Sequence, residues 1–284
     1  MSFVEISNEN LTAKIHLLGA EPFYLALQGG SHNWLWSAAP PWQRSAPLLF
    51  PIVGKLEEDS YEFQGNTYKL PQHGFTRDSE FEIIAQSKTS VHLRLISKAE
   101  TLKVYPFKFE LNVFYSLEGV RFKMKCTLKN LSEGELFYNF GWHPGFVLPQ
   151  QTHKIKFCAN GEMGSFHRLN KGLIDSDKFE FQKEDDLIEL TSELFEQDAL
   201  VFLENRASEF IIQDESGARL TLRGSQAPNF GLWTKDIAKF ICLEPWWGHA
   251  SLVDEKTDHL ESKIGIRRLQ GEACLAELEL EPHF

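Results

Sequence analysis

Two segments that lie far apart in this chain each place one titratable side chain among proline, glycine and aromatic residues. His143 lies in segment 139–146, and Glu244 lies in segment 242–248. Histidine titrates closest to neutral pH, and a carboxyl group that loses solvent beside tryptophan rings becomes a better base. A histidine and a glutamate that face one substrate can donate one proton and accept another. The two residues are therefore a candidate acid–base pair, although each alone would also suit a loop hydrogen bond or a surface ion pair.

The neighbours of His143 add a binding surface to this candidate site. Trp142 and Phe146 could offer flat apolar faces of the kind that pack against the C–H face of a sugar ring. Pro144 disfavours helical backbone at the residue before it, so an extended conformation is expected at His143. The segment is therefore predicted to form a loop or strand end that presents the imidazole to a ligand.

Four further polar residues stand in predicted loops or at strand ends, where a ligand could reach them. His73 follows a predicted hairpin within the loop 70–78. Lys55 and Arg77 could donate hydrogen bonds to substrate oxygens or to a phosphate. Asp198 precedes an apolar strand. Taken singly, these residues also fit a loop-stabilising histidine, solvated surface cations and a turn residue.

The signatures of metal and nucleophile chemistry are missing from the sequence. The ten histidines show no HxxxH or HxH spacing, and no Gly-x-Ser-x-Gly occurs. The cysteines form no CxxC pair and are expected to be buried free thiols: Cys126, Cys158, Cys242 and Cys274. No resident metal or cofactor is therefore expected.

Charge and hydropathy limit which partners and which cellular compartment the sequence predicts. The formal net charge is −11, whereas a nucleic-acid-binding protein would normally carry a basic face. The amino-terminal residues lack a basic region followed by an apolar one, and no run approaches the roughly 20 apolar residues that span a bilayer. The sequence therefore predicts a cytoplasmic protein that acts on a small molecule, with no nucleic-acid or membrane partner. The oligomeric state is not predicted.

Alternation with a period of two dominates the chain and predicts the elements that position these residues. Apolar residues occupy every second position from 107 to 117 and again from 120 to 128, on either side of a turn at Glu118 and Gly119. Shorter hairpins are predicted at 61–70 and 210–222, and the last segment alternates from Cys274 to Leu280. Segment 184–197 fits either a helix or a strand.

With 42% apolar residues the chain can bury a sizeable core, and it contains no GxGxxG or β-α-β rhythm. These patterns predict an all-β protein, residues 1–284 forming one domain of two large antiparallel sheets packed face to face.

The motifs, taken together, resemble the aldose 1-epimerase (galactose mutarotase) superfamily. The chain is most similar to the branch associated with bacterial lactose operons and is related to glucose-6-phosphate 1-epimerases. The resemblance follows seven segments in order along the chain: 6–8, 18–21, 47–55, 72–77, 141–146, 232–235 and 243–248. It implies a large β-sandwich of the galactose mutarotase-like type, with the sugar held in an open cleft on one sheet and no cofactor.

The resemblance also implies roles for individual residues. His143 would be the general acid on the ring oxygen, and Glu244 would be the general base on the C1 hydroxyl. His73 would bind near the ring oxygen, and Asp198 would bind sugar hydroxyls. The remaining substrate-binding candidates are Trp142, Arg77 and Lys55.

Lys55 departs from the pattern that the resemblance implies, because arginine is more common at its position. A lysine offers a point charge in place of a bidentate fork, so recognition of a phosphorylated sugar is less strongly implied.

A mutarotase of a hexose or hexose phosphate is the first hypothesis. A carbohydrate-binding or sugar-sensing protein without catalysis is the second, and a sugar hydrolase or lyase is the third. The matched acid and base favour the enzyme, because a binding protein needs neither.

Overall fold

The computed structural model of this chain describes residues 2–148, 155–161, 163–180, 187–215, 217–224, 227–255 and 257–283. Its strands, in chain order, are β1 (Phe3–Ser7), β2 (Leu11–His16), β3 (Pro22–Leu27), β4 (Leu48–Leu49), β5 (Ser60–Phe63), β6 (Asn66–Lys69), β7 (Glu82–Gln86), β8 (Ser90–Ile96), β9 (Phe109–Glu118), β10 (Arg121–Asn130), β11 (Leu136–Tyr138), β12 (Phe140–Trp142), β13 (Gly145–Val147), β14 (Ile155–Asn160), β15 (Phe166–Asn170), β16 (Leu173–Phe179), β17 (Ile188–Leu190), β18 (Leu200–Phe202), β19 (Glu209–Asp214), β20 (Gly217–Gly224), β21 (Asn229–Trp233), β22 (Phe240–Trp247), β23 (Arg267–Leu269) and β24 (Glu272–Pro282). The helical elements described are short: α1 (Ala99–Leu102) and 3-10 turns at Glu57–Asp59, Thr76–Asp78, Ser192–Phe195 and Leu260–Ser262. The all-β prediction is therefore confirmed.

Two large antiparallel sheets make up most of the described structure. One has nine strands in the order β17-β14-β19-β20-β24-β10-β9-β8-β7. The other has eight strands, in which β16-β15-β18-β21-β22-β12-β4 form the main path and β13 also pairs with β22. Phe210 of the first sheet stacks on Phe230 of the second, with ring centroids 3.9 Å apart and an interplanar angle of 12°. The two apolar faces thus pack on each other, as in a β-sandwich.

The predicted long hairpin forms the centre of the nine-stranded sheet. β9 and β10 pair in register from Glu118–Arg121 to Phe109–Asn130. The alternating apolar residues on both strands are buried, from Leu111 on β9 to Leu128 on β10. The predicted hairpin at 61–70 is confirmed by the pairing of β5 with β6. Segment 184–197 forms β17 and a 3-10 turn in its described part, which excludes residues 184–186.

The last strand departs from the predicted alternation at Cys274. The β10–β24 register shifts between the pairs Cys126–Ala276 and Thr127–Cys274. A slip of one residue turns side chains to the opposite face of the sheet, so Cys274 is exposed whereas Ala276 and Leu278 remain buried. The prediction that Cys274 is a buried thiol was therefore wrong, while Cys126 and Cys242 are buried as predicted. The side chain of Cys158 lies outside the described part.

Within the described residues, no helix is long and apolar enough to cross a membrane.

Candidate active site

The two segments that carry His143 and Glu244 lie side by side on the eight-stranded sheet. β12 and β13 both pair with β22, through Phe140–Trp247 on one side of the gap and Gly145–Cys242 on the other. The gap between β12 and β13 holds His143 and Pro144, because proline has no N–H to donate to the ladder. Glu244 belongs to the unbroken strand opposite this gap.

The imidazole and the carboxyl group are in direct contact. Nε2 of His143 lies 3.2 Å from Oε1 of Glu244. His143 is 8% exposed and Glu244 is 1% exposed, so water has little access to either group. Burial lowers the pKa of His143 to about 3, and the positive charge of Arg77 acts in the same direction. Burial raises the pKa of Glu244 well above its usual range, and the indole of Trp246 partly opposes that rise.

These opposite pKa shifts favour one form of the pair. Both shifts disfavour a charge, so the favoured form is a neutral imidazole beside a protonated carboxyl group, with one proton between the two groups. That proton can lie on either partner across the 3.2 Å contact. With the proton on His143 the pair is a protonated imidazole beside a carboxylate, which is a ready acid beside a ready base. The arrangement can therefore give a proton to one atom of a ligand and take one from another.

The pair lies in a cleft of about 910 Å³ whose walls include two tryptophans that the sequence reasoning had given no role. Trp42 stacks on His143 at 4.9 Å between ring centroids, with an interplanar angle of 26°. Trp233 meets His143 edge-on at 5.5 Å and 84°. An aromatic face favours a cation beside it, so Trp42 stabilises the protonated form of the imidazole. Trp233 lies in a segment that carried the family resemblance, and Trp42 follows two prolines. Neither feature of the sequence predicts that the ring lines a cleft.

Trp142 and Phe146 are not in this cleft. Trp142 is fully buried, and its indole N–H donates to the carbonyl oxygen of Ala46 at 3.0 Å. Phe146 is also buried in the core. Successive side chains of an extended chain point to opposite faces, so Trp142 faces the core where His143 faces the cleft. The prediction that Trp142 contacts a substrate was therefore wrong, and Trp42 and Trp233 supply the aromatic surface.

His73 lies beside His143 in the wall of the cleft, with 5.7 Å between their ring centroids. Its Nδ1 accepts a hydrogen bond of 3.0 Å from the backbone N–H of Gly54. Burial, together with the charge of His143, lowers the pKa of His73 well below its usual range, so the ring is neutral. A neutral ring that accepts at Nδ1 carries its proton on Nε2. Nε2 of His73 lies 3.4 Å from the side-chain amide nitrogen of Gln72, and an oxygen placed beside it could accept its hydrogen bond.

Arg77 and Asp198 also line the cleft. The guanidinium of Arg77 donates to the carbonyl oxygen of Gln72 at 2.8 Å, which leaves other N–H groups of the fork for a ligand. Oδ1 of Asp198 accepts hydrogen bonds from the indole N–H of Trp233 at 2.9 Å and from the backbone N–H of Ala199 at 3.0 Å. Asp198 holds a left-handed backbone with φ of 73°, as expected of a turn residue.

Lys55 does not line the cleft that contains His143 and Glu244. It lines an adjoining space of about 670 Å³ together with Lys69 and Lys171. Gln72, Gly172 and Asp198 line both spaces, so the two are continuous. The structure thus brings together His143, Glu244, His73, Arg77 and Asp198 and separates Lys55 from them.

The chain as a whole matches a family of known proteins. The sequence model of the family described as Aldose 1-epimerase matches residues 2–266. The chain belongs to the aldose 1-epimerase family. The family acts on sugars, which supports a small-molecule sugar as the class of ligand, and the resemblance drawn from the sequence is confirmed.

Among relatives within the aldose 1-epimerase family is the chromosomal protein LacX of Lactococcus lactis subsp. lactis. It is 30% identical over 270 residues, which cover 89% of this chain and 90% of LacX. A galactose mutarotase-related enzyme from Lactobacillus acidophilus is similar with a TM-score of 0.92 and 31% identity, over 100% of this chain and 98% of that one. A galactose mutarotase-like protein from Lactobacillus casei ATCC 334 gives a TM-score of 0.91 at 26% identity, over 99% and 100% of the two chains.

Proposed function

We propose that this protein is a mutarotase that interconverts the α and β anomers of a hexose or hexose phosphate. The observation that carries the proposal is the contact of 3.2 Å between His143 and Glu244 in the wall of a sugar-sized cleft. A protein that only bound sugar would have no use for a buried carboxyl group facing a buried imidazole, because such groups cost stability when they are left without solvent. The reaction needs no cofactor, since it moves only protons.

The proposed cycle uses the single proton of the pair. Glu244, as the carboxylate, takes the proton of the C1 hydroxyl while protonated His143 gives its proton to the ring oxygen. The C1–O5 bond breaks, and the open aldehyde turns about its C1–C2 bond. Glu244 then returns its proton to the carbonyl oxygen as the ring closes on the other face, and His143 recovers its proton from the ring hydroxyl. The pair ends with the proton content with which it began.

The remaining residues of the cleft hold and orient the ring. Trp42 and Trp233 present apolar rings against which the C–H face of a sugar packs. His73 donates from Nε2 to an oxygen near His143, and the free lone pairs of Asp198 accept from sugar hydroxyls. Exchange between anomers also proceeds in water without a protein, so this modest set of groups is sufficient.

The test is anomeric exchange measured by NMR on glucose, galactose and glucose 6-phosphate in parallel, with and without the protein. The proposal expects faster exchange of at least one sugar, with no change in mass. Saturable sugar binding without any acceleration would favour the binding or sensing hypothesis instead. A new product of different mass would favour a hydrolase or lyase.

The pH dependence of exchange follows from the singly protonated pair. The pair gains a second proton only as the pH falls towards the lowered pKa of His143, about 3, and loses its proton only above the raised pKa of Glu244. After subtraction of the buffer-catalysed rate, kcat should therefore stay flat between pH 7 and pH 5, with no step near the ordinary histidine value of about 6.5. A marked loss of kcat across that interval would contradict the assignment.

A phosphate on the sugar would be recognised by Arg77, with Lys55 as a more distant contributor. Arg77→Ala should raise KM for glucose 6-phosphate by roughly tenfold to a hundredfold and change KM for glucose much less, because hydrogen bonds to charged groups contribute about 1.5–3 kcal/mol. Lys55→Ala should also raise KM for glucose 6-phosphate more than KM for glucose, but by a smaller factor. Lys129→Ala, on the nine-stranded sheet, is the control. Equal effects of Arg77→Ala on both sugars would remove the phosphate-binding role.

A further inference from the structure

Cys242 is a buried thiol beside the acid–base pair, and the proposed cycle does not use it. It stands two residues before Glu244 on β22, so both side chains project from the same face of the strand. One ligand atom each from His143, Cys242 and Glu244 lie within 4.8 Å of one another, and all three residues are buried. The opposing residue on β13 is Gly145, which places no side chain against Cys242.

The three side chains are the ligand types that zinc prefers: an imidazole nitrogen, a sulfur and a carboxylate oxygen. Tetrahedral bonds of about 2.0–2.1 Å place two such light ligand atoms about 3.3 Å apart. Nε2 of His143 and Oε1 of Glu244 are separated by 3.2 Å, close to that edge length. The other carboxylate oxygen of Glu244 is buried and makes no hydrogen bond of good geometry among the described residues, although the indole of Trp246 is near enough to affect the pKa of the carboxyl group.

We propose that His143, Cys242 and Glu244 form a binding site for Zn²⁺ that shuts off the active site. Three protein ligands leave the fourth position for water on the cleft side, because His143 and Glu244 belong to the cleft lining. On binding, the thiol proton and the proton shared by His143 and Glu244 pass to solvent, because the ion takes the deprotonated forms. No bond to carbon and no oxidation state changes.

Inhibition follows from which lone pairs the ion occupies. Coordination removes the carboxylate of Glu244 as a base and the imidazole of His143 as a carrier of the proton. The ion also fills the space that the C1 hydroxyl oxygen of the sugar would occupy beside Glu244. Only this inhibitory consequence rests on the proposed mutarotase function; the binding of the ion does not.

The experiment measures Zn²⁺ binding by equilibrium dialysis and Co²⁺ binding by absorption, because a thiolate-to-cobalt charge-transfer band reports the sulfur directly. The wild-type chain should bind one ion per molecule and develop the band. Cys242→Ser should lose the band and weaken binding by at least about 100-fold, since even outer-shell partners of a metal site contribute 10–100-fold. Cys274→Ser is the matched control, because that thiol is exposed on β24, and it should behave as the wild type does.

Anomeric exchange with added Zn²⁺ supplies the second readout. Zn²⁺ should inhibit the wild type and Cys274→Ser, whereas Cys242→Ser and Cys242→Ala should keep their exchange rate in the presence of the ion. The smaller alanine variant guards against misfolding caused by a buried hydroxyl. Absence of binding to the wild type, or a charge-transfer band that survives both Cys242 substitutions, would overturn the site. Stoichiometric binding through Cys242 in a protein that exchanges no sugar would uphold the site and reject the mutarotase.

Discussion

Replacement of Glu244 with glutamine is expected to slow enzyme-catalysed anomeric exchange by roughly 10²–10⁴-fold, the range that a positioned proton-transfer group contributes. Glutamine has nearly the same shape, so it preserves the packing against Trp246 but cannot accept the proton of the C1 hydroxyl. Because Glu244 is fully buried and uncharged when protonated, the neutral amide should also leave the fold intact. The measurement is kcat from NMR exchange, with sugar affinity determined separately.

Glu272→Gln is the matched control, because that carboxyl group is exposed near the start of β24. It should leave both kcat and affinity unchanged. A Glu244→Gln enzyme that keeps its full rate while it binds sugar normally would remove Glu244 from the role of base. Equal affinity with a lost rate would also separate catalysis from simple binding, which sugar affinity alone cannot do.

Replacement of His143 with asparagine should cause a loss of the same order, roughly 10²–10⁴-fold in kcat. Asparagine keeps a polar group near Glu244 but has no proton to give to the ring oxygen. Because the two residues share one proton, the double variant His143→Asn/Glu244→Gln should lose little more than the worse of the single variants. Losses that multiply in the double variant would instead mean that the two groups act independently. Circular dichroism and retained sugar binding would show that each variant is folded.

The sequence was sufficient to predict those parts of the fold in which the local pattern of residues agrees with the final packing of the sheets. The β9–β10 hairpin has one face of alternating apolar residues and a turn at Gly119, so its pairing could be predicted from the period alone. The candidate pair could also be predicted, since proline breaks the strand at His143 and leaves the imidazole opposite the unbroken strand that carries Glu244. The hairpin joins neighbouring segments, whereas the pair joins segments that lie far apart in the chain and could be proposed from residue types but not from local pairing.

The features that sequence reasoning missed depend on contacts between distant segments. Cys274 is exposed because a register shift against β10 changes the face to which it points, and a single strand read alone contains no sign of that shift. Trp142 and Trp42 are both aromatic residues near proline, yet only Trp42 lines the cleft. Which of two such rings faces the cleft depends on where each lies against the sheet: Trp142 belongs to β12 and is buried, whereas Trp42 stacks on His143. Lys55 likewise lines the adjoining cavity, where its side chain lies close to Gly172, a residue distant in sequence.

The position of Glu244 on an uninterrupted strand affects which residues could be substituted to change the sugar that the protein accepts. β22 is paired with β21 on one side and with β12 and β13 on the other, so changing the spacing of His143 and Glu244 would require breaking ladder hydrogen bonds. By contrast, Asp198 and Lys171 sit in turns with left-handed backbone at the rim. Directed evolution towards a new sugar should therefore accumulate its changes in the rim turns and leave the chemistry in the sheet untouched.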